Sequence, residues 1–122
     1  MLERVGAARA PRVTVLSASF DRDLAALQAL TERSDGPVNC VVQPQATNLD
    51  GAAVRRLGSR VQWRPFLDPR TTDKKRLSDA HAHAKLFVFD RGADEIVAYG
   101  SANASRPALL DGERRNVEAL VV

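Results

Sequence analysis

Two residues that could take part in catalysis, a histidine and a lysine, are separated by one residue in this sequence. His83 and Lys85 open the run HAKLFVFD, whose apolar centre is typical of a β-strand. Alternate side chains of a strand share one face, so these two point to the same side and Asp90 points to the other. A histidine beside a lysine is costly to bury unless an anion lies between them, and a phosphate would relieve that cost.

A second polar run follows the strand that is predicted to return beside His83. The run GSAN at residues 100–103 contains a serine that could begin a helix, whose first N–H groups attract anions. Gly100 allows a close approach of the backbone. The hydroxyl of Ser101 and the amide of Asn103 can both contact phosphate oxygens. The sequence therefore predicts that these side chains help to bind the phosphate.

An acidic residue near the end of the chain could support the histidine. Asn116 and Glu118 share one face of the last predicted strand. Glu118 could accept a hydrogen bond from one ring nitrogen of His83, which would fix the tautomer and leave the other nitrogen available to attack.

These runs, HAKLFVFD, GSAN and NVE in this order, resemble the signature of the phospholipase D superfamily. That signature is a histidine, lysine and aspartate pattern followed by a glycine-serine-x-asparagine element. The resemblance implies a phosphodiesterase in which one histidine attacks phosphorus and forms a phosphohistidine. It further implies that a second histidine protonates the leaving group, and that neither a metal nor another cofactor takes part.

The site residues of that family have matching positions in this sequence. By the resemblance, the histidine acts as nucleophile or general acid, the aspartate is structural, and the glutamate supports the histidine. The lysine, serine and asparagine bind phosphate. The catalytic set implied in this way is His83, Lys85, Asp90 and Glu118, and the phosphate-binding set is Lys85, Ser101 and Asn103.

The chain carries one such motif, whereas the family brings two together at one site. We therefore expect a single phospholipase D-like domain over residues 1–122 that holds half of an active site. A complete site would need a homodimer, or a second motif in a longer chain of which this is a fragment.

Composition narrows the class of partner and the location. Hydrophobic residues make up 44% and charged residues 27%, as in ordinary globular proteins, and no apolar run approaches the roughly 20 residues of a membrane helix. The net charge of +3, carried mostly by arginine, favours nucleic acid over phospholipid as the substrate. Residues 1–10 lack the apolar segment of a secretory signal, and the single cysteine, Cys40, has no partner for an internal disulfide. We therefore expect a cytoplasmic protein.

The elements that must position these residues follow from apolar periodicity and turn residues. The pattern predicts an α/β protein, a mixed sheet flanked by helices that forms one half of a phospholipase D-like fold. Asp21 or Asp23 caps the first helix, and Gly58 ends the second. Strands are predicted over 12–20, 38–43, 61–64, 84–89, 96–99 and 116–122, helices over 21–33, 50–57 and part of 101–110, and a long loop over 67–82.

Other interpretations of these residues stay open at this point. A pair of metal ligands formed by His81 and His83 is conceivable, although no further ligands are evident. The basic residues Lys74, Lys75 and Arg76 either grip a nucleic-acid backbone or lie in a solvated loop. Trp63, Phe66 and Cys40 are better explained as packing residues than as functional ones. At the level of the whole chain, the alternatives are a non-catalytic phosphate- or DNA-binding module of a larger nuclease or helicase, a phospholipid-directed enzyme, and a structural half-domain.

Overall fold

A six-stranded sheet forms the framework of the protein, and two helices join its first strands. The computed structural model describes residues 9–44, 46–66, 83–101, 103–105, 109–110 and 120–121. In chain order, the elements are β1 (Arg12–Leu16), α1 (Ala25–Thr31), β2 (Val38–Val42), α2 (Gly51–Leu57), a 3-10 turn (Gly58–Arg60), β3 (Val61–Pro65), β4 (Leu86–Asp90), β5 (Glu95–Gly100) and β6 (Leu120–Val121).

The strands are ordered β3-β2-β1-β4-β5-β6 across the sheet. β1, β2 and β3 run parallel to one another, whereas β4 pairs antiparallel with β1 and β5 pairs antiparallel with β4. β2 and β3 therefore extend the sheet on one side of β1, and β4, β5 and β6 extend it on the other side. This mixed sheet with helices confirms the predicted α/β class.

Both helices lie against the same face of the sheet. Right-handed crossovers between parallel strands that step in one direction place their helices on one side. α1 contributes Leu27 and Leu30 to the core, and α2 contributes Ala53 and Leu57. The strands meet these helices with alternate buried side chains, among them Val13, Val15, Cys40, Phe87 and Phe89.

The start of α1 uses both of the aspartates that the sequence proposed as caps. The carboxylate of Asp23 accepts a hydrogen bond from the N–H of Ala25, and that of Asp21 accepts one from the N–H of Ala26, each at 3.3 Å. Leu24 precedes the helix in a left-handed conformation, with φ at 55°, and its side chain is buried. Packing therefore holds a backbone conformation that a leucine rarely adopts.

The bounds of α2 agree with those predicted. The carboxylate of Asp50 accepts hydrogen bonds from the N–H groups of Ala52 and Ala53, at 3.0 and 2.9 Å. Gly58 then ends the helix with φ at 53°, a conformation that favours glycine.

Several strands differ in length from the prediction. The first strand ends at Leu16 instead of residue 20, because the hydroxyl of Ser17 donates a hydrogen bond to the carbonyl of Ser19 and turns the chain. β4 begins at Leu86, and Lys85 lies just before it. The predicted loop over 67–82 lies outside the described residues, as do residues 116–119 and 122 of the last predicted strand and residues 102 and 106–108 of the predicted helix over 101–110.

The two ends of the sheet differ in how the chain connects its elements. At one end the connections are short and lie at 32–37, 58–60 and 91–94. At the other end, where Leu16, Val42 and Pro65 finish their strands and Leu86 begins β4, the connections are longer and lie at 17–24, 43–50, 66–85 and 101–119. We call this second end the carboxyl end of the sheet. Open α/β sheets bind their ligands at this end, which makes it the place to search for a site.

Within the part of the chain that the structure describes, no helix has the length and apolar character needed to span a membrane.

Replacing Phe87 by alanine tests the position of the core. Phe87 is 2% exposed and faces the helices, so the substitution should lower the free energy of unfolding by about 3–5 kcal/mol. Val97→Ala is the matched control, because Val97 lies on the opposite face of neighbouring β5 and is 39% exposed. Its effect should stay below about 1 kcal/mol. Urea denaturation measures both, and equal losses would contradict a single buried face.

Candidate functional site

The side chain of Lys85 is buried at the carboxyl end of the sheet. Lys85 is 5% exposed and has the same parity along the chain as Phe87 and Phe89, so it lies on the face that the helices cover. Its Nζ lies 2.9 Å from Nε2 of His83 and 3.0 Å from the carbonyl oxygen of that residue. A lysine is rarely buried without a partner, so this side chain has a specific role.

The hydrogen bond between the lysine and the histidine fixes the state of the imidazole. An ammonium group has donors and no acceptor, so Nε2 of His83 accepts the hydrogen bond and the ring proton lies on Nδ1. His83 is exposed, whereas Lys85 is not. The lone pair of Nε2 and the positive charge of the ammonium group therefore converge at the surface. An anion that enters there could accept the hydrogen bond of the Lys85 ammonium group in place of Nε2, and the freed lone pair of Nε2 would then face its central atom.

The end of β1 lies beside this pair. β1 and β4 pair with Leu16 opposite Leu86, and one further step of that register places Ser17 opposite Lys85. Ser17 is 2% exposed, and its Oγ accepts a hydrogen bond from the N–H of Ala104 at 2.9 Å. On the other side of β4, the N–H of Gly100 donates to the carbonyl of Lys85 at 3.3 Å. The chain that follows β5 is thereby held at the same end of the sheet.

These contacts bring the GSAN run to the lysine. Asn103 is partly buried, and its Oδ1 is a buried atom that has no hydrogen-bond partner among the described residues. Ser101 is exposed. A buried amide oxygen without a donor is uncommon in native proteins, and a water or a hydroxyl group could complete it. A phosphate oxygen would instead bond to Nδ2, because only the amide nitrogen donates. The backbone contacts place Gly100 and Ala104 beside Lys85 and Ser17, and the binding of phosphate by Asn103 stays a prediction.

The site lies where the topology of the sheet changes direction. β2 and β3 extend the sheet to one side of β1, while β4 and β5 extend it to the other. Ligands of open α/β sheets often bind at such a position. Here it lies between the connection that leaves β1 after Leu16 and the segment that enters β4 at Leu86. Ser17 begins the first of them, and His83 and Lys85 lie in the second.

A second tie at this end of the sheet holds the chain around Phe20. The side-chain amide of Asn48 bonds both backbone groups of Phe20: its Oδ1 accepts from the N–H at 2.9 Å and its Nδ2 donates to the carbonyl at 2.8 Å. Phe20 also forms a parallel bridge with Ala104. The rings of Phe20 and Trp63 pack edge to face, with their centroids 6.4 Å apart. This contact confirms Trp63 as a packing residue. Three connections are thus joined beside the site.

Asp90 lies away from His83 and Lys85, at the opposite end of β4 and on the other face. Its carboxylate accepts a hydrogen bond from Nε of Arg12 at 2.8 Å and forms a close ion pair with the same guanidinium. It also accepts from the N–H of Gly92 at 2.8 Å, in the turn between β4 and β5. The Gly92 N–H and then Arg12 lower the pKa of Asp90. These contacts link the end of β4 to β1 and to the turn that follows β4, and the role that the family resemblance gives this aspartate stays a prediction.

Other predicted residues lie apart from the site or outside the described residues. Glu118, His81 and the basic run 74–76 belong to segments outside the described residues, so their roles stay predictions, including the metal pair with His81. Cys40 is buried in the core, as expected, and burial raises the pKa of its thiol to about 12. Phe66 is exposed at the end of β3.

Ser17 and Asn48 were not among the residues predicted from the sequence. A serine directly after an apolar strand was a usable signal, because serine hydroxyls bond to nearby backbone and end strands. Asn48 carried no such signal, since its partner is Phe20, which is remote in sequence.

Comparison with protein-family models finds no match to this sequence, and comparison with curated proteins finds none either.

Replacing Asp90 by asparagine tests its structural part through the pH dependence of stability. Because the pKa of Asp90 is lowered in the folded protein, its stabilisation is present above the ordinary pKa of an aspartate, about 4, and is lost as the pH falls through the folded value. Asp90→Asn should therefore lower the melting temperature at pH 7, with a difference from wild type that shrinks at pH 2–3. Thermal unfolding across this range measures it. Asp94→Asn, in the same turn, is the control, and an equal effect there would contradict the assignment.

Replacing Lys85 by methionine tests whether the buried ammonium group is there for function instead of stability. Methionine has a similar volume and removes a charge that is costly to bury, so Lys85→Met should raise the free energy of unfolding by about 1 kcal/mol or more. Lys85→Arg retains the charge and should not stabilise. Chemical denaturation compares the variants, and a destabilised methionine variant would show that the lysine is needed by the fold.

Proposed function

We propose that this chain carries one half of a metal-independent phosphodiesterase site of the phospholipase D type, and that its substrate is a nucleic acid. The observation that carries the proposal is the 2.9 Å hydrogen bond from a buried Lys85 ammonium group to Nε2 of His83. It pairs a nucleophilic nitrogen, in the required tautomer, with a charge that can stabilise a phosphate oxygen.

The proposed reaction begins with a phosphodiester at the carboxyl end of the sheet. The Lys85 ammonium group first moves its hydrogen bond from Nε2 of His83 to a non-bridging oxygen, which frees the lone pair of Nε2. Nε2 then attacks phosphorus, so an N–P bond forms and the P–O bond to the leaving group breaks. Lys85 neutralises charge on the non-bridging oxygens, and Ser101 and Asn103 bind them. The proton on Nδ1 allows the ring to become cationic without losing its orientation. By the resemblance, Glu118 would receive the hydrogen bond from Nδ1.

The second half of the proposed reaction needs a group that this motif does not supply. The leaving oxygen takes a proton from an acid, and water then attacks the phosphohistidine and releases the phosphate monoester. In the family, the acid is the histidine of a second motif. We therefore infer that the working enzyme is a homodimer, or that a second motif lies in a longer chain. With one copy alone, His83 could bind and attack, but the histidine of a second motif would not be present to protonate the leaving group.

Charge and chain layout support nucleic acid as the substrate class. The net charge is +3, and the connection that holds Lys74, Lys75 and Arg76 begins and ends at the carboxyl end of the sheet, where His83 lies. Cations beside a phosphodiester site would bind the neighbouring phosphates of a polymer, whereas a phospholipid has none. The cytoplasmic location expected from the sequence belongs to this proposal, since nucleic acid is found there.

The second candidate is a phosphate-binding module without turnover. It is favoured by the same hydrogen bond, because a lysine and a histidine that converge on one point would hold a phosphate whether or not a second motif arrives. Such a module could dock a larger nuclease or helicase on DNA.

Hydrolysis in excess EDTA separates these candidates. Wild-type protein is incubated with bis(p-nitrophenyl) phosphate, with labelled single-stranded DNA and with phosphatidylcholine vesicles. We expect release of p-nitrophenol and shortened DNA, and a loss of about 1,000-fold or more in His83→Ala, because a nucleophile is removed. Arg60→Ala is the control, since it removes an exposed cation at the opposite end of the sheet and should retain activity.

The outcomes distinguish the proposals. DNA binding that needs His83 and Lys85 without any turnover would support the binding module. Cleavage of lipid but not DNA would overturn the substrate class. Turnover that survives in His83→Ala would overturn the mechanism.

A further inference from the structure

We infer that Ser17 is a positioning residue for the phosphate-binding Asn103, a role that rests on the proposed function. Ser17 does not face the surface, because it is 2% exposed, and its hydroxyl makes two hydrogen bonds within the protein. Its Oγ donates to the carbonyl of Ser19 at 2.8 Å and accepts from the N–H of Ala104 at 2.9 Å. Its effect on a phosphate must therefore pass through the residues that it holds.

The N–H that Ser17 accepts belongs to the peptide that joins Asn103 to Ala104. The carbonyl of this same peptide accepts a hydrogen bond from the N–H of Ser105 at 2.8 Å, and Phe20 bridges to Ala104. The carboxyl side of Asn103 is thus tied down by backbone contacts. Its own Oδ1, by contrast, has no partner among the described residues. The direction of this side chain therefore depends on the peptide that follows it, and the Ser17 hydroxyl holds that peptide.

Ser17 also links the asparagine to the lysine. One step beyond the pairing of Leu16 with Leu86, Ser17 lies opposite Lys85 at the end of β1. A shift of the peptide that this hydroxyl holds would change the spacing between Asn103 and Lys85, which the proposed mechanism places on one phosphate. A change of about 1 Å in such a spacing is enough to slow a reaction considerably.

The test uses Ser17→Ala, with Ser17→Cys as a variant that keeps the volume and a weak acceptor. Ser19→Ala is the matched control, because Ser19 is exposed and provides Ser17 with a backbone carbonyl only. The first measurement is made by NMR on the free protein and needs no activity. In Ser17→Ala, the amide of Ala104 should lose protection from hydrogen exchange by about tenfold or more, and the side-chain amide of Asn103 should become mobile. Ser19→Ala should leave both unchanged.

The second measurement is a double-mutant cycle on hydrolysis. Asn103→Ala should lower kcat by about 100-fold, as for the loss of one oxyanion donor, and Ser17→Ala by about tenfold. If Ser17 acts through Asn103, then Ser17→Ala should change kcat less than about twofold when Asn103 is already alanine. A residue with a merely structural role would lower activity equally in both backgrounds.

The failure of this inference differs from that of the proposed function. If the wild type is inactive and Asn103 becomes mobile in Ser17→Ala, the proposed enzyme is overturned, whereas the positioning of Asn103 by Ser17 is supported. An Asn103 amide that stays rigid in Ser17→Ala would overturn the inference, whatever the wild-type activity. Additive effects on kcat in the cycle would overturn it as well.

Discussion

The buried ammonium group of Lys85 is the constraint on which the arrangement of the site depends. A charged group removed from water must be bonded, and here the bonds go to the imidazole and carbonyl of His83. The lysine orders a histidine that would otherwise be a solvated side chain before a strand. It also selects the tautomer with Nε2 as the acceptor. One unfavourable burial thus prepares both members of the pair for an anion, whose charge would offset that of the buried ammonium group.

The topology of the sheet explains why this pair lies where several connections meet. Because β4 runs antiparallel to β1, the start of β4 lies beside the end of β1. The residues before β4 and after β1 are therefore neighbours, although they are remote in sequence. The amide of Asn48 and the hydroxyl of Ser17 then hold the connections by side-chain contacts to backbone. Such contacts give loops a defined position without extending the sheet.

The parts of the fold that could be predicted from sequence are those with local causes. Asp50 and Gly58 mark the bounds of α2 because their side-chain chemistry acts within one turn, and the alternation in β4 placed Lys85 and Asp90 on opposite faces. The end of β1 was not predicted, because residues 17–20 continue an alternating pattern. The hydroxyl of Ser17 ends the strand through hydrogen bonds to the backbone of Ser19 and Ala104, and the second of these is a contact with a segment remote in sequence. The left-handed backbone of Leu24 could not be predicted from the sequence, because it depends on the packing of the buried side chain.

In the candidate site, too, the features that could be predicted are those with local causes. The shared direction of His83 and Lys85 follows from strand periodicity, whereas their hydrogen bond and the burial of the lysine depend on the sheet around them. The predicted hairpin led us to expect Asn103 near His83. In the structure, the residues around Asn103 are held by two hydrogen bonds, one from the N–H of Gly100 to the carbonyl of Lys85 and one from the N–H of Ala104 to the hydroxyl of Ser17. Glu118 stays a prediction, because it lies outside the described residues.

The position of the lone thiol makes the protein well suited to single-site labelling. Cys40 is the only cysteine in the sequence, it is buried, and burial raises its pKa to about 12. Almost none of it is thiolate at neutral pH, so maleimides and spin-label reagents should react with it slowly. A cysteine introduced on the exposed β4–β5 turn would then carry a fluorophore or a nitroxide without background from the native residue. Distances between such probes on two chains would report how copies of this protein associate.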